Sequence, residues 1–160
     1  MIIRPAQPSD ASAISAIILP VIRDGSTYAL DPDMSEAEAL NYWMGPDKTT
    51  FVAEDGGDIL GTYYLRANQP GGGSHVCNCG YMTSAPAAGK GVARQMCADS
   101  QDQARARGYR AMQFNFVVST NERAVRLWQS MGYAIVGTLP HAFDHPRQGF
   151  VDALVMFKTL

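Results

Sequence analysis

A glycine-rich segment, Ala88-Gly89-Lys90-Gly91-Val92-Ala93, stands between an apolar strand-like run and a helix-like run. Residues without bulky side chains let the backbone approach a ligand closely. A helix that begins at such a segment presents unpaired N–H groups and the positive end of its dipole. Because these features suit a diphosphate, the segment predicts a site for a nucleotide-type cofactor.

Two asparagines interrupt strand-like runs that are otherwise mostly apolar, Asn78 within residues 76–82 and Asn115 within residues 111–118. A side-chain amide both donates and accepts hydrogen bonds, so it can orient a reacting group. It can equally satisfy buried backbone groups of a neighbouring strand. The residue types leave both interpretations open.

Other polar residues have a functional and a structural interpretation. Asn121 begins a helix-like run and can cap it. Tyr28 lies between the first two predicted helices, where it either contacts a substrate or packs. His141 and His145 lie in residues 140–149, predicted to be a surface loop. Histidine suits general-base catalysis near neutral pH, whereas histidines in surface loops are usually only solvated.

The chain has three cysteines, Cys77, Cys79 and Cys97, an odd number. The Cys-Asn-Cys spacing of the first two is too tight for ordinary disulfide or zinc sites. We therefore expect free thiols packed in or near the core, in a cytoplasmic protein without a metal. A nucleophilic cysteine is the alternative.

Strands and helices alternate along the chain, which predicts an α/β sandwich with a mixed sheet. Predicted strands cover residues 2–4, 50–54, 59–66, 76–82, 111–118, 133–139 and 151–158. Predicted helices cover residues 10–19, ended by Pro20, then 36–44, 89–107 and 121–131. Ser35 and Glu38 form a capping box for the second helix, and Gly56-Gly57 turns a hairpin between the second and third strands.

The composition and net charge of the chain indicate which broad class of protein it is. The 160 residues fit one domain, 1–160, and the 46% hydrophobic and 18% charged residues are typical of soluble proteins. A net charge of −2 gives no support for a nucleic-acid partner. No apolar run is long enough for a membrane span, and no basic segment precedes residues 14–22 as in a signal peptide. We expect a cytoplasmic protein with neither a nucleic-acid nor a membrane partner.

Two motifs in order resemble the GCN5-related N-acetyltransferase (GNAT) superfamily. The glycine-rich turn of that family has the core Gly-x-Gly-x-Ala, matched here by Gly89 to Ala93. A second signature, Asn-x-x-Ala-x-x-Leu-Tyr-x-x-x-Gly-Phe, is matched by residues 121–133, from Asn121 to Tyr133. A predicted strand separates the two motifs, and the order of elements agrees over nearly the whole chain.

The resemblance implies a three-layer α/β sandwich whose mixed, mostly antiparallel sheet is splayed between its fourth and fifth strands. It implies acetyl-coenzyme A as co-substrate, with the thioester in the splay and direct attack by an amine. Met82 and Thr83 would bind the pantetheine arm, and one of their N–H groups would polarise the thioester carbonyl. Asn121 would contact the same arm. The pyrophosphate would be held by N–H groups of Ala88, Gly89, Lys90, Gly91, Val92 and Ala93.

Two positions depart from the family pattern. Ala88 stands where the family usually has Arg or Gln, which removes one phosphate contact. Trp128 stands where many members have a Tyr that protonates the leaving thiolate. An indole N–H is a donor but not a practical acid, so we expect Trp128 to pack against the cofactor. This departure also motivates an alternative, a non-catalytic sensor of acyl-coenzyme A.

A narrower resemblance links Asn78 and residues 114–121 to the azetidine-2-carboxylate (proline-analogue) acetyltransferases. It implies that Asn78 and Asn115 position substrate and act in catalysis. The acceptor would be a small amine, namely an amino acid, an analogue or a toxic amine, with Tyr28 and His141 near it. A protein or peptide acceptor is the alternative, and a long 140–149 loop favours a closed pocket instead. A homodimer is expected from the family.

Overall fold

The protein, described by a computed structural model of residues 1–160, consists of a seven-stranded sheet and four α-helices. The strands are β1 (Ile2–Pro5), β2 (Thr49–Asp55), β3 (Asp58–Ala67), β4 (Val76–Thr83), β5 (Ala111–Val118), β6 (Ala134–His145) and β7 (Gly149–Thr159). The helices are α1 (Ala11–Asp24), α2 (Glu36–Trp43), α3 (Val92–Ala106) and α4 (Glu122–Ser130).

The sheet has the order β1-β2-β3-β4-β5-β7-β6, and only β4 and β5 are parallel. Side chains of α1 and α2, including Ile14, Ile18 and Trp43, form one core against the sheet. The other core contains Met96 of α3 and Trp128 of α4. The two cores confirm the three-layer sandwich, with the sheet as its middle layer.

The predicted splay between the fourth and fifth strands is present. β4 and β5 are paired only at Val76 with Ala111 and at Cys77 with Met112. At the next residue of β4, the Asn78 side-chain Nδ2 donates to the Gln113 carbonyl at 2.9 Å. A side chain therefore continues the link where the two backbones separate.

Three predictions that rest on short sequence patterns were confirmed. Ser35 Oγ accepts from the Glu38 N–H at 3.1 Å, and Glu38 Oε2 accepts from the Ser35 N–H at 2.7 Å, which is the predicted capping box. Asp55 pairs with Asp58 across the predicted two-glycine turn. Residues Ala111–Val118 form a strand with the predicted bounds.

The first helix does not end at Pro20 as predicted. α1 continues to Asp24 and ends at Gly25, whose backbone is left-handed with φ of 68°. Proline removes one helical hydrogen bond, but the helix buries Ile17 and Ile18 before the proline and Ile22 after it. Burial on both sides of Pro20 offsets the lost bond.

The prediction of a surface loop over residues 140–149 was wrong. β6 extends to His145 and β7 begins at Gly149, so most of this segment is a hairpin. Its pairing shifts register between Leu139 and Phe143, and His141 has a φ of 52° within this irregular stretch. Pro140 lies within this irregular stretch of an edge strand, a position where proline is tolerated.

The third helix begins at Val92 rather than at Gly89. Gly89 and Gly91 have φ values of 82° and 81°, a left-handed conformation that favours glycine. These two residues bend the chain so that the helix start faces a cavity.

No helix combines the length and apolar character needed to cross a membrane.

Candidate active site

Two cavities meet where β4 and β5 separate. We name them the turn cavity, of about 340 Å³ beside residues 88–93, and the gap cavity, of about 240 Å³ between the parted strands. Both are lined by Tyr81, Asn121, Ala124 and Trp128. A ligand that enters both cavities therefore passes along these four residues.

The turn cavity presents backbone N–H groups without acceptors. Ala88 and Lys90, two of the predicted donors, use their N–H groups within the turn, at 3.1 Å to the Ala85 carbonyl and 3.2 Å to the Ala87 carbonyl. The first helical bond of α3 joins the Gln95 N–H to the Gly91 carbonyl at 3.1 Å. The N–H groups that make no backbone hydrogen bond are those of Gly89, Gly91, Val92, Ala93 and Arg94.

Two arginines add positive charge to the turn cavity. Arg123, in the first turn of α4, places Nη2 3.5 Å from the position that a Cβ of Gly89 would occupy. Arg94 donates to Ser130 Oγ at 2.8 Å, which ties α3 to α4. The sequence did not indicate either arginine as functional, although Arg123 lies within the second motif. With the free N–H groups, they form a site for a di-anion.

Strand parity decides which N–H groups of β4 face the gap. In an antiparallel ladder, alternate residues direct their N–H and carbonyl groups to the same neighbour. The Ser84 N–H donates to the Leu60 carbonyl at 2.9 Å, so Met82 also faces β3, and Tyr81 and Thr83 face β5. The Met82 side chain is buried in the core beneath α1. Of the two predicted donors, only Thr83 directs its N–H towards the gap.

Tyr28 lies in the wall of the gap cavity. Its hydroxyl donates to the Tyr81 carbonyl and accepts from the Tyr81 N–H, each at 2.9 Å. Burial raises the pKa of Tyr28 above its ordinary value, so the phenol is neutral at physiological pH. The structure brings this predicted substrate residue to the gap and shows a second role, in holding the free edge of β4.

Asn78 and Asn115 both line the gap cavity. Besides its bond to Gln113, Asn78 receives a long hydrogen bond of 3.5 Å from the Tyr64 hydroxyl. Asn115 donates to Asn68 Oδ1 at 2.6 Å and accepts from Gln113 Nε2 at 2.9 Å. Each amide is oriented by protein partners and lies on one of the two separated strands, so the structural and functional interpretations are compatible.

Trp128 separates the two cavities as part of an aromatic cluster. Its ring centroid lies 5.0 Å from that of Tyr81 and 5.3 Å from that of Phe114. The side chain is only 9% exposed. Trp128 therefore packs within the wall between the cavities, and its contact with the cofactor stays a prediction.

Asn121 has one of the two roles considered for it, that of a helix cap, and its contact with the pantetheine arm stays a prediction. Its Oδ1 accepts from the Ala124 N–H at 3.4 Å and so caps α4. The same residue lines both cavities. The cap also fixes the start of α4, which carries Arg123 towards the glycine turn.

Neither predicted histidine lines the turn cavity or the gap cavity. His141 is exposed on β6, where its N–H donates to Asp152 Oδ1 at 2.9 Å. His145 is buried, and its Nδ1 accepts from the Arg147 N–H at 3.1 Å. The predicted placement of His141 near the acceptor depended on a loop, which is instead a paired strand.

The three cysteines are free and buried. Burial raises the pKa of the Cys77 thiol to about 12 and raises the pKa of Cys79 and Cys97 above their ordinary value. Since the thiolate is the nucleophile, these residues carry almost no reactive form near neutral pH. The structure favours the packing interpretation.

The chain is similar to known acetyltransferases in its sequence and its fold. The model of the acetyltransferase (GNAT) family matches residues 20–133. A GCN5-related N-acetyltransferase structure from Kribbella flavida is 42% identical, with a TM-score of 0.94 over 99% of this chain and 97% of its own. The N-acetyltransferase aca1 of Schizosaccharomyces pombe is 28% identical over an alignment 151 residues long, which covers 84% of this chain and 72% of that protein.

A third similarity is structural. A phosphinothricin acetyltransferase of the GNAT superfamily from Sinorhizobium meliloti, solved in complex with acetyl-coenzyme A, has a TM-score of 0.86 at 21% identity. The alignment covers 99% of this chain and 88% of that one. At this identity the two proteins share the fold.

The chain belongs to the acetyltransferase (GNAT) family, whose model spans most of its length. It is therefore an N-acetyltransferase, an enzyme of the acyltransferase class. The narrower resemblance to the azetidine-2-carboxylate acetyltransferases stays a prediction.

The Tyr28 hydroxyl is expected to stabilise the separated edge of β4. Tyr28→Phe removes the partner of both Tyr81 backbone groups and should lower the free energy of unfolding by about 1 kcal/mol. Urea unfolding followed by circular dichroism measures the change. Tyr109→Phe is the matched control, because Tyr109 is also partly buried but lines neither main cavity. Equal losses in the two variants would contradict this role.

Proposed function

We propose that the enzyme transfers the acetyl group of acetyl-coenzyme A to the amine of a small molecule bound in the gap cavity. The observation that carries this proposal is the meeting of two unlike cavities at the splay. One has free N–H groups and two arginines, and the other is lined by aromatic side chains and two oriented asparagines. The first suits a diphosphate and the second a small acceptor.

The residues of the turn cavity fit the coenzyme. The N–H groups of Gly89, Gly91, Val92 and Ala93 would bind the pyrophosphate, and Arg123 would supply the charge that is missing at Ala88. The N–H and carbonyl groups of Thr83 would bind the pantetheine arm as an added strand would. The neighbouring S. meliloti enzyme, solved with acetyl-coenzyme A, supports this assignment.

The bound co-substrate supplies an activated thioester, and the protein supplies position. Asn78 and Asn115 would orient the amine, and Trp128 with its aromatic neighbours would exclude water. No histidine, aspartate or glutamate lines the gap cavity. We therefore infer that the neutral amine attacks the thioester carbonyl, the C–S bond breaks, and coenzyme A leaves as a thiolate. Water accepts the amine proton and protonates the thiolate, since no side chain of the cavity is a general base near pH 7.

A small acceptor suits the dimensions of the gap cavity better than a polypeptide. Its volume is about 240 Å³, and Tyr28, Leu30 and Tyr42 line it on the side of α1 and α2. An amino acid, an amino-acid analogue or a toxic amine suits a cavity of this size. The narrower proposal of an azetidine-2-carboxylate type of acceptor rests on the asparagines of β4 and β5.

Thiol release tests the function directly. The purified enzyme with acetyl-coenzyme A should liberate coenzyme A in proportion to added amine, detected with a thiol reagent. Asn115→Ala should lower kcat by roughly tenfold or more while binding of the coenzyme is kept, because it removes an orienting group. Asn41→Ala, an exposed asparagine of α2, is the control. Coenzyme binding with no acceptor-dependent release from any amine would favour the acyl-coenzyme A sensor.

Arg123 is expected to contribute to coenzyme binding through charge. Arg123→Ala should raise the Kd for acetyl-coenzyme A by roughly tenfold, because a charge-assisted contact is lost. Calorimetry at two salt concentrations should also show a weaker salt dependence. Arg126→Ala is a matched control on the same helix, since Arg126 is exposed, pairs with Glu122 and lines neither main cavity. An unchanged Kd in Arg123→Ala would contradict the assignment.

A homodimer and a cytoplasmic location complete the proposal. Edge strand β6 exposes Ile135, Val136 and Leu139, and Phe150 at the start of β7 is 68% exposed. Exposed apolar side chains along a sheet edge suit pairing with a second copy. Sedimentation should give twice the mass of the chain, and Val136→Lys should shift it to the monomer. A wild-type monomer at all concentrations would contradict the dimer.

The three free thiols suit a reducing compartment, which supports the proposed cytoplasmic location.

A further inference from the structure

The gap cavity contains one charged side chain, Arg66 of β3, and no acidic residue. An amine acceptor is usually a cation in solution, and a site for a simple amine would be expected to offer it a carboxylate. This wall offers a guanidinium instead. The positive charge of the cavity is therefore not what a site for a simple amine would require.

Arg66 is placed beside the proposed reacting centre by the register of the sheet. It pairs with Asn78 across β3 and β4, and paired residues of antiparallel strands direct their side chains to the same face. Tyr64, two residues earlier on β3, lies on that face as well and also lines the cavity. Arg66 thus belongs to the same wall as one of the two asparagines.

The guanidinium of Arg66 has donors in excess of its partners. Its Nη1 lies 3.5 Å from Asp47 Oδ2, at the limit of a hydrogen bond, and its buried Nε has no partner. An arginine side chain has five N–H donors. The Arg66 side chain is 32% exposed, so part of the group remains accessible.

Asp47 is shared between Arg66 and Lys48, so it does not fully neutralise the charge of Arg66. Both carboxylate oxygens of Asp47 accept from Lys48 Nζ at 3.1 Å, and Asp47 is 56% exposed. Lys48 Nζ lies 4.7 Å from the centroid of the Tyr42 ring, which is another wall residue of the cavity. One carboxylate shared between two cations leaves a positive charge at this end of the cavity.

We propose that the acceptor carries a carboxylate close to its amine and that Arg66 binds this carboxylate, which makes the substrate class small amino acids, cyclic imino acids included. Arginine suits the role because its planar fork binds a carboxylate through two parallel hydrogen bonds. The inference rests on the proposed function and specifies the acceptor of that same site.

Binding of the carboxylate would also help the reaction. A carboxylate beside an ammonium stabilises the charged form and so keeps the pKa of the amine high. When Arg66 takes up the negative charge, that stabilisation falls, and a larger fraction of the bound amine is neutral. Arg66 would therefore position the acceptor and favour its reactive form, without itself accepting the proton.

Matched pairs of amines test the proposal, each pair consisting of an acid and the amine without its carboxylate. Suitable probes are L-azetidine-2-carboxylate with azetidine, L-proline with pyrrolidine, and glycine with methylamine. With rates referred to the neutral amine, kcat/KM should be at least roughly tenfold higher for the acid of a pair. Arg66→Gln should remove this preference, mainly by raising KM for the acids.

Two variants and a second measurement complete the test. Arg105→Gln, an exposed arginine of α3 that pairs with Asp102, should leave the preference unchanged. Arg66→Lys keeps the charge without the fork and should retain part of the preference, and it replaces Arg66→Gln if the latter does not fold. In the presence of coenzyme A, the acids should raise the melting midpoint of the wild-type enzyme, raise that of Arg66→Lys by less, and leave that of Arg66→Gln unchanged.

The outcomes separate the two proposals. If amines lacking a carboxylate are acetylated as well as the acids, the carboxylate site is overturned and the acetyltransferase function stands. If the acids raise the melting midpoint through Arg66 without any thiol release, the carboxylate site stands and the proposed function fails. If the acids neither bind nor react, the carboxylate proposal is overturned.

Discussion

β4 and β5 lie side by side for only two residue pairs, and the candidate active site lies at the point where they separate. The separation leaves backbone groups of Tyr81 and Thr83 without a strand partner, which a folded protein does not leave unsatisfied at a buried position. Asn78 bridges the strands at the point of divergence, and the Tyr28 hydroxyl takes up both groups of Tyr81. Trp128 fills the space beside them. Both cavities exist because the sheet is held open in this way.

Much of the fold was predictable because the relevant forces are local. The Ser35 and Glu38 capping box, the two-glycine hairpin and the apolar run of β5 each involve residues close in sequence. The failures have a common cause in long-range burial. Pro20 reads as a helix stop, yet Ile17 and Ile22 are buried against a core that a local pattern does not reveal. Residues 140–149 read as a loop, yet pairing with β7 stabilises them as a strand.

Some residues of the candidate site could be predicted from the sequence, and others could not. The glycine turn, Asn78, Asn115 and Asn121 could be recognised from residue type and position, and all of them line a cavity except Lys90 of the turn. Arg66 and Arg123 could not, because each gains its place from a contact between distant parts of the chain, Arg66 through its pairing with Asn78 and Arg123 through its approach to Gly89. The choice between Met82 and Thr83 as donor depends on strand parity, which requires the register of β3 and β4.

The two tryptophans of the chain have sharply different surroundings. Trp43 is fully buried beneath α1, with its indole N–H bonded to Thr62 Oγ1 at 3.0 Å, and it lines neither cavity. Trp128 forms the partition between the cavities. The Trp43 ring lies beside Tyr28 and Tyr64, which line the gap cavity, whereas Trp128 lines both cavities itself. A ligand in either cavity would therefore change the fluorescence of Trp128 directly and that of Trp43 only through these neighbours.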